Sequence, residues 1–234
     1  MKVLVATQKP FAPAAVKGIE EILVKAGHTV TVLEKYADEG ELIAAVSDVD
    51  AMIVRSDKVT PKVLAAAGNL KIVVRAGAGF DNIDLAESKA RGVIVENTPG
   101  QNSNAVAELA IAMMIYMSRN QFTPTAGSEI SGKRLGIQAF GNVGRLVGKK
   151  AEALGMTVLA TDPFVPAEKI AEAGAKPVAT VKELYAESDF VSVHIPATPE
   201  TINSIDYRTV NQMPKGGILI NTARKEVINE AELL

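Results

Sequence analysis

The chain has 234 residues, a formal net charge of −2 and a sequence pI near 5.8, with 47% hydrophobic and 4% aromatic residues. This balance excludes a basic nucleic-acid-binding protein, and the absence of cysteine excludes disulfides, cysteine nucleophiles and thiolate metal sites. The short apolar run at the N-terminus predicts a strand rather than a signal peptide, and no stretch approaches the ~20 apolar residues of a membrane span. We therefore expect a cytoplasmic protein with an aliphatic core, divided into one large or two modest domains.

The first part of the chain alternates short apolar runs with amphipathic segments. Strands are predicted over residues 3–6, 29–33, 51–54, 71–75 and 93–96, and helices over 14–25, 41–46, 60–68 and 85–90. Thr60 followed by Pro61 is typical of a helix start, because the threonine caps and the proline fits the first turn. Strands separated by helices of this length predict a parallel sheet with right-handed crossovers.

A break with the sequence NTPGQ follows at residues 97–101, and we place the domain hinge there, with one domain over 1–97 and the other over 98–234. Residues 104–119 form a helix that is apolar nearly all round, which predicts burial between domains or subunits. A polar link rich in turn residues covers 120–131.

From Arg134 the alternation resumes. The segment 134–162 is predicted to form a strand, a glycine turn, a helix and a second strand that ends in Asp162. Further helices are predicted near 167–173, 181–186 and 207–211, further strands over 190–194 and 217–221, and a last helix from 229 to the end of the chain. The second domain is thus also α/β with a parallel sheet.

The glycine turn at 139–144, with the sequence AFGNVG, matches the dinucleotide-binding pattern G-x-G-x-x-G except that Ala139 replaces the first glycine. Alanine there predicts a negative φ and a more open turn. Asp162 lies 21 residues after Gly141, close to the spacing of about 20 expected for an acid that binds the ribose hydroxyls. Glycines at such corners are often purely structural, but the flanking elements and the acid favour a dinucleotide. The carboxylate favours NAD over NADP, because it would repel a 2′-phosphate.

Unusual residues follow several predicted strands, where ligands bind in open α/β sheets. Arg224 can grip a carboxylate and polarise a carbonyl. A surface ion pair is the ordinary alternative, but the sequence NTAR directly after a predicted buried strand favours a functional role. Gly77 to Gly79 is either an anion site made of backbone N–H groups or a plain turn. Arg55 and Arg75 either bind an anion such as phosphate or form interdomain ion pairs.

The two histidines, His28 and His194, are far apart in the sequence. His194 ends a predicted strand and is expected to border the cofactor, but a role as general acid or base is disfavoured because no carboxylate partner is evident. His28 is expected on the surface. The chain shows no recognisable cluster of metal ligands, so no metal site is predicted.

With these residues in hand, the chain resembles the D-2-hydroxyacid dehydrogenase family, and within it the branch that acts on 3-phosphoglycerate. The stretches that carry the resemblance run in the family's order from about residue 50 to 227. They are RAGAGFDNIDLAESKARGVIVENTPGQNSNAVAELAIAMMIYMSRN, GKRLGIQAFGNVGR, TDP, VSVHIPATPET and MPKGGILINTAR.

The resemblance implies two Rossmann- or flavodoxin-like domains, with substrate bound by 1–97 and NAD by 98–234, and hydride transfer to or from C2 of a small anionic 2-hydroxy or 2-oxo acid. It implies that Arg224 is catalytic and holds the substrate carboxylate and carbonyl. The implied substrate-binding residues are Arg55, Arg75, Ala76, Gly77, Ala78, Gly79 and Asn102. The implied cofactor-binding residues are Gly141, Asn142, Val143, Gly144, Asp162, His194, Ile195, Thr222 and Ala223.

The same resemblance implies a phosphorylated substrate, 3-phosphoglycerate, a role in serine biosynthesis and a homodimer formed through the NAD-binding domain. The family's acid–base glutamate and histidine are expected beyond Leu234, so we expect an incomplete second domain and little turnover from these 234 residues alone. The link between 119 and 132 is also shorter than in many relatives. Two alternatives stay open, namely a glyoxylate/hydroxypyruvate reductase and a non-catalytic NAD-binding regulator like the family's co-repressors.

Overall fold

A computed structural model describes residues 1–233. It divides into two compact units between residues 101 and 102, at the end of the segment 97–101 that was predicted as the hinge and four residues after the predicted domain boundary. Each unit contains one five-stranded parallel sheet. The predicted fold class of two parallel-sheet α/β domains is therefore confirmed.

The first unit is a sheet in the order β2-β1-β3-β4-β5 with helices between consecutive strands. Its elements are β1 Lys2–Thr7, α1 Pro13–Lys25, β2 Thr29–Glu34, α2 Glu39–Val46, β3 Ala51–Val54, α3 Pro61–Ala66, β4 Ile72–Arg75, α4 Leu85–Ala90 and β5 Ile94–Asn97. The chain moves outward from β1 to β2 and then returns to β3 on the other side. The carboxyl ends of β1 and β3 therefore flank a topological switch point, where ligands bind in sheets of this order.

Alternating apolar residues on the strands build the core of the first unit. Leu4 and Ala6 of β1 are buried against Met52 and Val54 of β3, as expected for a sheet that is covered by helices. The predicted start of α3 is confirmed, because the Thr60 side chain accepts a hydrogen bond from the backbone of that helix.

The second unit is a sheet in the order β10-β9-β6-β7-β8. Its elements are α5 Ser103–Ser118, β6 Arg134–Gln138, α6 Asn142–Ala153, β7 Thr157–Thr161, α7 Ala167–Glu172, β8 Lys176–Pro177, α8 Val181–Ala186, β9 Phe190–Val193, α9 Tyr207–Val210, β10 Ile218–Asn221 and α10 Glu230–Leu233, with 3₁₀ turns at Asn120–Phe122 and Lys225–Val227. The two-residue strand β8 is missing from the sequence-based prediction. The switch point of this sheet lies between β6 and β9.

Helix α5 is only half-buried in the single chain. Ala107, Ala110 and Met114 belong to the core of the second unit, whereas Leu109 is 54% exposed and Tyr116 is 42% exposed. The helix therefore has one face in its own core and an apolar stripe that stays partly exposed, although the Tyr116 ring makes an edge contact with Phe122 at 5.3 Å between centroids.

Two kinds of feature are absent from the described residues. None of their helices is both long enough and apolar enough to cross a membrane. No group of three or more His, Cys, Asp or Glu side chains in residues 1–233 is arranged to hold a metal ion.

Candidate functional site

The turn after β6 is tighter than the sequence predicts. Ala139 has a φ of 77°, so the expectation of a negative φ and a more open turn is wrong. The neighbouring peptide groups explain this, because the Ala139 N–H donates to Thr161 O at 3.0 Å and the Phe140 N–H donates to Asp162 Oδ2 at 2.7 Å. Both bonds tie the turn to the end of β7, and alanine accepts a left-handed conformation at a cost of about 1–2 kcal/mol.

Two glycines of the turn have different surroundings. A Cβ on Gly144 would lie 2.3 Å from Ala139 O and 3.0 Å from Ile137 Cγ2, so helix and strand could not approach each other with any side chain there. A Cβ on Gly141 would have no atom of the described residues within 4 Å. Gly144 is thus required by packing, whereas Gly141 leaves open space in front of the backbone.

Asp162 locks the turn through both carboxylate oxygens. Its Oδ2 accepts from Phe140 N–H, and its Oδ1 accepts from Phe164 N–H at 2.8 Å. An ionised carboxylate offers about four lone-pair sites, so two hydroxyl groups of a ribose can still bind. The residue that the spacing selected for the ribose also holds the turn that would receive the pyrophosphate.

Helix α6 begins at Asn142 and offers N–H groups to an anion. The first N–H groups of a helix have no intrahelical partner, and among the described residues no side chain caps this helix. Arg145 in its first turn, which the sequence analysis missed, donates from Nε to Phe140 O at 3.0 Å and is exposed to solvent. Helix dipole and guanidinium together favour a diphosphate here, so the observed turn fits a dinucleotide.

His194 follows β9 at the same switch point. Its backbone N–H donates to Gln138 O at 3.0 Å, and its ring Nε2 lies 3.0 Å from the Oγ of the buried Ser192. Burial lowers the pKa of His194 to about 4, so the ring is neutral at pH 7. This geometry gives no support to an acid–base role, and the contact of His194 with the cofactor stays a prediction.

This histidine makes a testable contribution to the pH dependence of stability. Its pKa is near 6.5 in the unfolded chain and about 4 in the fold, so the unfolded state binds more protons between these values. The free energy of unfolding should therefore fall as the pH drops from about 6.5 to 4, and His194→Gln should remove that part of the loss. Urea unfolding of both proteins at several pH values measures the difference, and parallel curves would contradict it.

The loop after β10 is shaped by Asn221. Its Nδ2 donates to Arg224 O at 2.8 Å, and its Oδ1 accepts from Ala223 N–H at 2.9 Å. The Thr222 Oγ1 atom is buried without a hydrogen-bond partner among the residues that the structure describes. The loop thus contains a half-buried Arg224, whose Nη1 donates to Ala223 O at 3.2 Å, and the unsatisfied hydroxyl of Thr222. Ile195, which was also predicted to contact the cofactor, lies two residues after the end of β9 and is buried in the hydrophobic core.

The first unit carries the two predicted anion-binding arginines after β3 and β4. Arg75 donates from Nε to Arg55 O at 2.9 Å. Its guanidinium lies across Gly77, where an added Cβ would be 1.5 Å from Arg75 Nη1. Arg55 is exposed and Arg75 is half-buried, so the structure brings these two predicted residues together through a backbone carbonyl.

The backbone donors predicted at 76–79 divide into two pairs. Ala76 N–H donates to Val54 O and Gly77 N–H donates to Arg75 O, both at 2.8 Å, so the fold itself uses them. In the described part of the chain, the N–H groups of Ala78 and Gly79 have no protein acceptor. Asn102 lies in the second unit, where its exposed side chain makes no capping bond to any described residue of α5.

Gly77→Ala should weaken anion binding as well as lower stability. The new methyl group would collide with the end of the Arg75 side chain. That side chain is flexible and can move away, but its guanidinium would then leave the position over residue 77. The φ of 153° adds backbone strain of about 1–3 kcal/mol. Titration with 3-phosphoglycerate and thermal unfolding measure the two effects. Unchanged affinity in the folded variant would show that the position of Arg75 does not matter.

Comparison with known proteins agrees with this geometry. Residues 105–234 match the model of the D-isomer specific 2-hydroxyacid dehydrogenase, NAD binding domain. The match covers the turn and Asp162, and it confirms NAD as the cofactor for which this family domain is named.

Three similar proteins illustrate the relationship. A D-3-phosphoglycerate dehydrogenase from Mycobacterium tuberculosis is 39% identical over 84% of this chain and 40% of its own length. A hydroxypyruvate reductase from Thermotoga maritima is 38% identical over 86% of this chain and 69% of its own length. The crystal structure of an NAD⁺-bound 3-phosphoglycerate dehydrogenase from Entamoeba histolytica superposes with a TM-score of 0.94 at 45% identity, over 100% of this chain and 75% of that one.

The chain spans about 40% of the length of the mycobacterial D-3-phosphoglycerate dehydrogenases that it matches. The family model covers more than half of the chain, and the shared region contains both the fingerprint turn and the loop of Arg224. The chain therefore belongs to the D-isomer specific 2-hydroxyacid dehydrogenase family.

Proposed function

We propose that the chain carries the cofactor- and substrate-binding parts of an NAD-dependent D-2-hydroxyacid dehydrogenase. The observation that carries this proposal is the turn at 139–144, closed by Asp162 and open in front of Gly141. In the proposed complex the N–H groups of Asn142 and Val143 bind the pyrophosphate and Asp162 binds the adenosine ribose. His194, Ile195, Thr222 and Ala223 would line the remainder of the cofactor site.

The proposed substrate is 3-phosphoglycerate, which is oxidised to 3-phosphohydroxypyruvate. Arg55 and Arg75 are two cations at the carboxyl ends of neighbouring strands, and Ala78 and Gly79 add free N–H donors. This set is suited to a carboxylate or a phosphate, because guanidinium groups bind both with paired hydrogen bonds. The names of the relatives from Mycobacterium tuberculosis and Entamoeba histolytica support a phosphorylated substrate.

Arg224 is the proposed catalytic residue of this chain. When bound, the nicotinamide accepts or supplies the hydride. The Arg224 guanidinium presents a planar fork of N–H donors, so its proposed role is to hold the substrate carboxylate and polarise the C2 oxygen. The clamp by Asn221 fixes the backbone on both sides of Ala223, which limits the freedom of the arginine before substrate arrives.

A comparison of two 2-oxo acids tests the substrate. With NADH present, we expect 3-phosphohydroxypyruvate to bind at least about 10-fold more tightly than hydroxypyruvate, since charged hydrogen bonds contribute about 1.5–3 kcal/mol each. Isothermal titration measures binding, and NADH absorbance measures any turnover. Arg224→Lys is the matched variant, which keeps the charge but loses the bidentate geometry. It should weaken the binding of both acids.

A second candidate is a hydroxypyruvate reductase. The similarity to the Thermotoga maritima enzyme, of which the chain covers 69%, favours it. Equal or tighter binding of the unphosphorylated acid would select this function and reject the phosphorylated substrate. Binding of NADH without any response to either acid would instead favour a non-catalytic regulator.

Other features of the proposal concern the whole protein. The exposed stripe with Leu109 and Tyr116 on α5 supports a homodimer through the second unit, because large apolar patches on a surface mark interaction sites. Three further points remain predictions. They are the binding of substrate by residues 1–97 and of NAD by residues 98–234, the cytoplasmic location and the role in serine biosynthesis.

A further inference from the structure

A buried carboxylate lies beside the candidate anion site of the first unit. Asp57 lies in a loop, three residues after the end of β3, yet its side chain is only 6% exposed. Its Oδ1 accepts from the backbone N–H of Gln8 and from the Tyr36 hydroxyl, both at 2.6 Å. Its Oδ2 accepts from the backbone N–H of Arg55 at 3.2 Å, and its carbonyl accepts from Asn82 Nδ2 at 2.8 Å.

These partners come from four separate parts of the first unit. Gln8 follows β1, Tyr36 follows β2, Arg55 follows β3 and Asn82 precedes α4. β1 and β3 are the strands on either side of the switch point of this sheet. Burial and the contact with Asp57 raise the pKa of Tyr36, so its hydroxyl remains a donor at neutral pH. Asp57 thus joins both sides of the switch point through donors that do not titrate near neutrality.

The network continues to the arginines through a single residue. The N–H of Arg55 donates to Asp57, and the carbonyl of Arg55 accepts from Arg75 Nε at 2.9 Å. The backbone of Arg55 therefore stands between the buried carboxylate and the guanidinium that lies over Gly77. Any rotation of that backbone segment would move the carbonyl on which Arg75 rests.

We propose that Asp57 is a positioning residue for anion binding, which sets the backbone of Arg55 and through it the guanidinium of Arg75. The proposal rests on the proposed function, in which these arginines bind a phosphorylated 2-hydroxy acid. A carboxylate with a purely structural role would stabilise the loop without affecting how the arginines are held. The two roles therefore differ in their effect on Arg75.

Asp57→Asn separates the links in this network. The amide can keep its oxygen toward Gln8 and Tyr36, but its NH₂ group then faces the Arg55 N–H, where two donors repel each other. Tyr36→Phe removes a donor on the other side and leaves the Arg55 contact intact. Asp38→Ala is the matched control, because Asp38 also accepts backbone N–H groups in this unit, from Gly40 and Glu41 at the start of α2.

Two readouts on the full chain are needed. The first is the exchange rate of the Arg75 Nε–H with water by NMR, with the resonance assigned from its loss in Arg75→Lys. The second is the affinity for 3-phosphoglycerate by isothermal titration. In Asp57→Asn we expect the Arg75 Nε–H to exchange at least about 10-fold faster. We also expect 3-phosphoglycerate to bind about 10-fold more weakly, which corresponds to losing one charged hydrogen bond between protein and ligand. Asp38→Ala should change neither, and Tyr36→Phe should change both by less.

The outcomes separate this inference from the proposed function. Unchanged exchange at Arg75 in a folded Asp57→Asn variant overturns the inference, whatever happens to the melting temperature. Faster exchange in Asp57→Asn together with no binding of 3-phosphoglycerate by the unsubstituted chain keeps the positioning role and rejects the proposed substrate. Equal effects of Asp57→Asn and Asp38→Ala on both readouts also overturn the inference, because general loosening would then explain them.

Discussion

Gly141→Ala should leave the stability of the chain nearly unchanged and weaken NADH binding by about 10- to 100-fold, whereas Gly144→Ala should lower both. The two glycines are three residues apart in one turn, yet their replacement by alanine is expected to weaken NADH binding for different reasons. This contrast separates a turn that binds a dinucleotide from a corner that needs glycine only for packing.

The stability effect of Gly144→Ala follows from backbone contact. Its Cβ would lie 2.3 Å from Ala139 O, and the flanking bond from Phe140 N–H to Asp162 prevents that peptide from moving away freely. Separating α6 from β6 opens the core, and overpacking of this kind typically costs about 1–3 kcal/mol. The binding site is lost together with the packing.

The binding effect of Gly141→Ala follows from open space. The φ of Gly141 is −79°, so an alanine meets no left-handed strain, and among the described residues no atom lies within 4 Å of the new Cβ. That same space is where a pyrophosphate must approach the N–H groups of the turn. The methyl group would hold the phosphate away and would weaken the hydrogen bonds that bind it.

Thermal unfolding and NADH titration of both variants measure the contrast. Gly148→Ala is the control on the same helix, since its Cβ would touch only side chains, the nearest being Ile137 Cδ1 at 3.3 Å. It should leave NADH affinity intact. Normal NADH binding by Gly141→Ala would place the dinucleotide elsewhere and remove the main support for the proposed function.

Much of the fold follows from local patterns in the sequence. Alternating apolar runs and helix-starting residues such as Thr60 predict the elements to within a few residues, because burial and capping act over short distances. The spacing from Gly141 to Asp162 likewise predicts a pair that the structure links through Phe140. Strand β8, with only two residues, is too short to give a periodic signal.

Other features depend on contacts that no local pattern contains. Alanine prefers a negative φ, yet Ala139 adopts 77° because bonds to the end of β7 determine the conformation. Asp57 and Gln8 are 49 residues apart, so the role of this carboxylate emerges only in the folded sheet. Asn221, the last residue of β10, offered a signal that the sequence analysis did not use, since asparagine side chains often bond the backbone two residues on.

The charge of Asp162 should determine the choice of coenzyme. Two unit charges 4 Å apart interact by about 4 kcal/mol at an effective dielectric constant of 20. A 2′-phosphate beside this half-buried carboxylate should therefore be disfavoured by roughly 100-fold or more. We expect the unsubstituted chain to bind NADH with that preference over NADPH, and Asp162→Asn to reduce the preference to within about 10-fold.

The measurement is a titration of each protein with NADH and NADPH, and Asp189→Asn is the matched control. Asp189 accepts from the backbone N–H of Arg134 at 2.8 Å, at the opposite end of the same sheet, so it tests loss of a similar bond away from the site. If both coenzymes lose affinity equally in Asp162→Asn, the carboxylate acts only by holding Phe140 and Phe164 in place. A narrowed preference requires the charge itself, because loosening the turn cannot favour the bulkier phosphate. A preference for NADPH in the unsubstituted chain would contradict the role of the charge in coenzyme choice.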